Sequence, residues 1–206
     1  MIICRVPNMP GGSSPLPANA CANAALEASV NARMNGLRQI GTVRELAERW
    51  GLAARLSRAA DKGQAFREML NCVVVVSRRA RTLAGAAYTT ERRIVLNERL
   101  LESGREEDRD ATFLHECAHV LADLFHERPC RHDACWRDMM LLLGEVPNVR
   151  HRISYLSREA NAKITWRCTG CAQAYHYVRR PRRNIKDCCC ADCGPERGRL
   201  REEVPQ

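Results

Sequence analysis

His115, Glu116 and His119 form an H-E-x-x-H motif. Four residues is just over one helical turn, so on a helix both imidazoles leave the same face and can grip one metal ion. Neutral imidazole nitrogens suit zinc, at about 2.0–2.1 Å, and three neutral ligands leave the ion strongly Lewis-acidic. Water on such an ion loses its proton near neutral pH instead of near ~15.7. Glu116, between the two histidines, can take that proton and hand it to a leaving amine. The helix itself is predicted by Leu114, Ala118, Leu121, Ala122 and Phe125, which recur at three- and four-residue steps. Asp110 or Asp108 is expected to cap its start, and Pro129 marks its stop.

An open zinc site wants a third protein ligand. His132, in the loop just past the helix, can fold back and is the first choice. His126 is the rival, but two helical turns place it about 10.8 Å further along the axis from His119. Glu145 or Glu159 could serve instead, as carboxylates arriving from a later helix. Met139 and Met140, in the apolar run Trp136 to Leu143, are expected to pack in the core and not beneath the metal.

A second constellation lies near the C-terminal end. Cys168 and Cys171 form one C-x2-C pair and Cys190 and Cys193 another. This is zinc-ribbon spacing, in which four thiolates close a tetrahedral structural site. Cys188 and Cys189 offer other registers and are expected to be spare. The chain has 12 cysteines. With no secretory signal visible, the compartment is expected to be reducing and the clusters to bind metal, not to pair as disulfides. No apolar run approaches the ~20 residues a membrane helix needs. The expected location is the cytoplasm beside the nucleoid, or the nucleus if the chain is eukaryotic.

Net charge is +9. From Arg150 to Gln206 there are thirteen Lys and Arg against six Asp and Glu, so this segment carries seven of those nine charges. Arg179, Arg180, Arg182, Arg183 and Lys186 cluster between the cysteine pairs, where they could track a phosphate backbone. Tyr175, Tyr177 or Trp166 could stack on unpaired bases. The expected partner is DNA, single-stranded or damaged, held without base-specific readout.

The elements that must position these groups can be read in order. Residues 1 to about 20, rich in Pro and Gly, form a tail, and Ala20 to Met34 could be a helix. Thr42 and Glu45 make a capping box for a helix through Trp50, and another helix is expected at Gly63 to Leu70. Cys72 to Ser77 reads as a buried strand. Thr82 to Tyr88 and Arg93 to Leu96 read as two more around a turn near Thr90 to Arg92, with a short helix at Asn97 to Leu101.

Several of these stretches together are similar to the SprT-like/Spartan metallopeptidases. They are Gly85-Ala86-Ala87-Tyr88, Arg93 to Leu101 with Asn97 inside it, Asp110 to His119, and His132-x-x-x-Trp136. In that family a strand ending in an aliphatic–Asn element precedes the zinc helix, the third histidine opens an H-G-x-x-aromatic element, and many members end in a zinc ribbon. The resemblance covers roughly residues 40 to 196. It implies a zinc-dependent peptidase that digests proteins crosslinked to DNA, and it supports His132 as the third ligand. Asp133 stands where the family usually has glycine, and could bond a ligand histidine or disturb the turn; Cys135 stands where an acidic residue is common.

The expected fold is α+β. A tail and helix at 1–35 precede a zincin-like metallopeptidase domain at 36–160, with helices and a short three-stranded sheet. A zinc-ribbon β module with a basic hairpin follows at 161–206. The strand at Arg93 to Leu96 is expected to receive the substrate backbone. The alternative is a nucleic-acid-binding or transcription-associated zinc module whose peptidase fold is inactive. A zinc hydrolase of small amides is a third reading.

Overall fold

A run of four valines, Val73 to Val76, has the β-branched stiffness of a strand buried on both faces, and it forms the middle of the larger sheet. The computed structural model describes residues 36–149 and 153–203; the tail and the helix expected at 1–35 lie outside the described residues. Strands β1 (Leu37–Thr42), β2 (Val73–Ser77), β3 (Gly85–Tyr88) and β4 (Arg93–Asn97) make a sheet of order β1-β2-β4-β3. β2 pairs β4 in parallel, and the other two pairings are antiparallel. The sheet thus has four strands, one more than expected. β1 escaped because its register shifts between Gln39 and Gly41, which breaks the two-residue alternation that marks a strand.

The topology also corrects the strand expected to receive a substrate. β4 is hydrogen-bonded on both sides, by β2 and β3, so it has no free edge. β1 and β3 are the edge strands, and β3 is the one beside β4.

Helix α1 (Val43–Arg49) begins at the expected capping box: Thr42 Oγ1 accepts from the Glu45 N–H at 3.3 Å, and Glu45 Oε2 accepts from the Thr42 N–H at 2.8 Å. Helix α2 (Ala53–Leu56) runs into a 3-10 turn, Ser57–Lys62, and then into α3 (Gly63–Leu70). The long helix α4 (Glu106–His126) starts earlier than Asp110 and has no side-chain cap. Glu106, Glu107 and Asp108 fill its first turn, where negative charge complements the positive end of the helix dipole. It ends at Glu127, in the left-handed region at φ 51°. Its middle is buried all round, from Thr112 through Ala118, whereas Phe125, expected on the apolar face, is 44% exposed.

Helix α5 (Ala134–Leu142) is capped by Asp133, whose carboxylate accepts from the Cys135 and Trp136 N–H groups. Asp133 therefore caps a helix and does not orient a ligand histidine. α5 delivers Trp136, Met139 and Met140 into the core around Phe113, Leu114 and Leu121, and both methionines pack as expected.

The second sheet comprises β5 (Ile164–Cys168), β6 (Ala174–Tyr177) and β7 (Leu200–Glu203), ordered β6-β5-β7 and antiparallel throughout. A single turn, α6 (Gly194–Arg197), precedes β7. Both sheets belong to one unit, Gly36–Gln206. No helix among the described residues is long and apolar enough to cross a membrane.

Candidate metal centre

His115 and His119 leave α4 one turn apart, and the turn after Pro129 brings His132 to meet them. His119 Nε2 lies 3.1 Å from His132 Nε2, and His132 Nε2 lies 3.2 Å from His115 Nε2. Ligand nitrogens at about 2.0–2.1 Å from a tetrahedral zinc are themselves about 3.3 Å apart, so both distances suit ligands of one ion. The trio could hold a metal ion. Burial, with His132 adding to it, pulls His119 down to about 4, which keeps the imidazole neutral and fit to bind metal over the physiological range. The rivals are elsewhere. His126 is exposed at the end of α4, Glu145 is ion-paired to Arg55 at 2.8 Å, and Glu159 is exposed.

Trp136 forms the floor under the trio. It is fully buried, and its ring centroid lies 4.8 Å from that of His115, 5.3 Å from His119 and 4.6 Å from His132. Nothing in its spacing from the histidines shows this contact with all three. Asp123, one turn past His119, anchors the loop that carries His132: its carboxylate accepts from the Cys130 N–H at 2.7 Å and from Thr89 Oγ1 at 2.9 Å.

Glu116 shares the cavity with the three histidines. Burial pushes its carboxyl up to about 8, while the Ala87 N–H on β3 pulls the other way. A dication among the imidazoles would pull in the same direction as that N–H. Glu116 is packed directly on Gly85: a Cβ at that position would lie 2.7 Å from Glu116 Oε1. Gly85 is thus the only residue type that lets β3 pass so close to the carboxylate, a role that the Gly85-Ala86-Ala87 run hints at only by its small side chains. The cavity measures about 710 Å³. The inner end of β3 lines it, and Leu83 and Val149, respectively 54% and 46% exposed, give it an apolar rim.

The four ribbon cysteines, Cys168, Cys171, Cys190 and Cys193, place their sulfurs within 4.8 Å of one another and could hold a second ion. Backbone N–H groups of Gly170 and Cys171 point at Cys168 Sγ, at 3.3 and 3.5 Å. The Tyr175 hydroxyl donates to Cys190 Sγ at 3.1 Å and pulls that thiol down to about 6. Cys188 and Cys189 fall outside the cluster, as expected of spare residues. The described cysteines are all free thiols.

The expected nucleic-acid residues are dispersed. Arg179 lines a cleft of about 390 Å³ together with Arg79, Arg81 and Arg158 from the other side, and His176 and Tyr177 from β6. Thr82 lines both this cleft and the metal cavity, so the two adjoin. Arg180 is held by Glu202 through two bonds of 2.9 and 2.7 Å. Arg182 and Arg183 are exposed, and Lys186 lines a different cleft. Of the aromatic rings, Trp166 is buried against Tyr177 and Tyr175 is bonded to Cys190, which leaves Tyr177 beside the arginines. Arg79 and Arg81 stand together in a short basic run, Arg78 to Arg81, whereas Arg158 and Arg179 are far from it along the chain, and only the fold brings the three stretches together.

A family model described as SprT-like matches residues 52–179, more than half of the chain. No curated protein and no solved structure matches.

Proposed function

The chain belongs to the SprT-like family, and on that premise we propose that it is a zinc-dependent endopeptidase acting on proteins attached to DNA. The observation that carries the proposal is the approach of His132 Nε2 to within 3.1 and 3.2 Å of the Nε2 atoms of His119 and His115, at the wall of a cavity that also holds a buried carboxylate. In this reading residues 36–160 are the peptidase domain and 161–206 the ribbon.

His115, His119 and His132 would hold the zinc. When bound, zinc supplies Lewis-acid polarisation of the scissile carbonyl and of the attacking water. The remaining work falls to the chain. Glu116 takes the water's proton and returns it to the leaving amine; burial raises its carboxyl, which favours the return, and the Ala87 N–H lowers it, which favours the uptake. The free edge of β3 binds the substrate as an added strand through main-chain hydrogen bonds, which gives weak sequence preference. The apolar rim at Leu83 and Val149 receives side chains. Asp123 holds the His132 loop in place, and Trp136 fixes the three rings.

The DNA half of the proposal is supported by the cleft at Arg79, Arg81, Arg158 and Arg179, which adjoins the metal cavity at Thr82. A strand lying there would bring an attached protein to the peptidase site and raise its local concentration. The ribbon cysteines would bind a second, structural zinc.

The test is proteolysis of a casein-like substrate with and without single-stranded DNA and a chelator. The proposal expects DNA-stimulated, chelator-sensitive cleavage, absent in Glu116→Gln, which should still hold its zinc. DNA binding without proteolysis would point to an inactive peptidase fold. Turnover of small amides alone would point to an amide hydrolase.

A further inference from the structure

Cys130 and Cys135 stand on either side of His132, and neither is part of the two metal clusters described above. Cys130 is fully buried; its thiol donates to the Ala122 carbonyl at 3.6 Å, and its N–H is the one that Asp123 accepts. Cys135 is half-buried on the first turn of α5. The ligand atoms of Cys130, Asp133 and Cys135 all lie within 4.8 Å of one another. Two thiols and a carboxylate this close could serve a third metal ion or a dithiol.

The surroundings decide between them. The Arg128 guanidinium sits among these groups, donating to Asp133 Oδ2 at 2.9 Å and to Cys135 Sγ at 2.9 Å. A dication would meet a full positive charge in its first shell. The Asp133 carboxylate is already engaged by Arg128 and by the two N–H groups it caps. What remains is a pair of neighbouring sulfurs, one partly open to solvent beside a cation and one buried behind it. This is the arrangement of an attacking and a resolving cysteine.

We propose that Cys130 and Cys135 are a site of reversible thiol–disulfide exchange, taking a low-molecular-weight disulfide such as glutathione disulfide as its oxidant. Cys135, as thiolate, attacks one sulfur of glutathione disulfide; a protein–glutathione bond forms, the S–S bond breaks, and one glutathione leaves. Cys130, as thiolate, then attacks the Cys135 sulfur and releases the second glutathione. The chain gives up two electrons and two protons; the electrons reduce the disulfide and the protons end on the two glutathiones. The sulfurs must close to about 2.05 Å. Cys130 is pinned from below by Ala122 and Asp123, so the movement falls on the first turn of α5. That turn carries Trp136, and the ring so closed contains His132. The consequence is a disturbed third ligand, and this consequence rests on His132 binding the metal.

The experiment treats the zinc-loaded full-length protein with glutathione disulfide, alkylates the remaining thiols, and digests with trypsin without reduction. Trypsin cuts after Arg131 and after Arg137, so a Cys130–Cys135 bond holds the peptide His132–Arg137 to the one ending at Arg131. The expected result is that linked pair, with two thiols lost per chain. Reduction should separate it, and it should be missing from Cys135→Ser. In Cys130→Ser, Cys135 should stop at the glutathione adduct. Recovery of both residues alkylated, or each carrying its own glutathione, would overturn the proposal. So would a third zinc on the wild type that Cys135→Ser loses. The linked pair is read by mass alone, so its absence refutes the dithiol site whether or not the chain proves to be a peptidase. An inactive protein that still forms the pair refutes only the peptidase reading.

Discussion

On the peptidase reading proposed above, Gly85→Ala should slow proteolysis sharply without emptying the metal site. The added Cβ would lie 2.7 Å from Glu116 Oε1, 2.8 Å from Glu116 Cγ and 2.9 Å from Thr112 Cγ2, where ordinary contacts begin near 3.4 Å. About 0.7 Å of overlap must be relieved. β3 is held by its ladder to β4, and Thr112 and Glu116 belong to the buried middle of α4, so the freest atoms are those of the Glu116 carboxylate. Displacing a catalytic group by roughly 1 Å costs on the order of 10²-fold in rate, or about 2.7 kcal/mol of transition-state stabilisation. The three atoms nearest the added Cβ belong to Glu116 and Thr112 and not to His115, His119 or His132. The assay is kcat/KM on a protein substrate with zinc per chain measured on the same sample. The expected outcome is a fall of about 10²-fold at unchanged zinc. Wild-type turnover in Gly85→Ala would show that Glu116 is not the working base, or does not work from the position it occupies here.

Three further outcomes follow from the same geometry. In metal-free protein Glu116, with a carboxyl raised from 4.5 to about 8 by burial, holds its proton more tightly folded than unfolded. The stability it lends is fully present below pH 4.5 and is lost as pH rises through about 8. Chelated Glu116→Gln should therefore out-stabilise chelated wild type by roughly 3 kcal/mol at pH 7, with the gap vanishing near pH 4 in urea melts. Trp136→Ala should cost about 3–5 kcal/mol of stability and weaken zinc binding about 10–100-fold in chelator competition, with Trp136→Phe between it and wild type. Replacing Arg79, Arg81 and Arg158 together by Ala should flatten the salt dependence of single-stranded DNA binding by about 0.7 per lost phosphate contact; Arg180→Ala should change it little, because Glu202 already holds that side chain.

The chemistry was the most legible part of the chain, since a four-residue spacing on a helix is local information. His115 and His119 needed only a helical pattern to be placed, and the ribbon cysteines only their spacing. His132 was legible as a loop histidine able to fold back and from the resemblance, but what brings it to the other two, the turn shaped by Asp123 and Trp136, belongs to the fold. What could not be read lies across the chain. β1 was hidden by a bulge. β3 and β4 were found as strands, but which of them has the free edge depends on the parallel pairing of β2 with β4, and that pairing is a property of the sheet. Asp133 shows how a local signal can be misassigned: its carboxylate could have turned toward a histidine, and the two N–H groups of a helix start claim it instead. The basic cleft illustrates the same limit, for the conspicuous arginines at 179–183 contribute one member and the other three come from Arg79, Arg81 and Arg158.

One turn of α4 and the loop after it gather a group that could hold an ion of its own, separate from the cysteine cluster. Zinc content per chain in wild type and in His119→Ala tests it most directly. Two zincs are expected in the wild type and one in the variant, with the remaining ion lost on Cys171→Ser. A wild type carrying a single zinc that His119→Ala retains would contradict it.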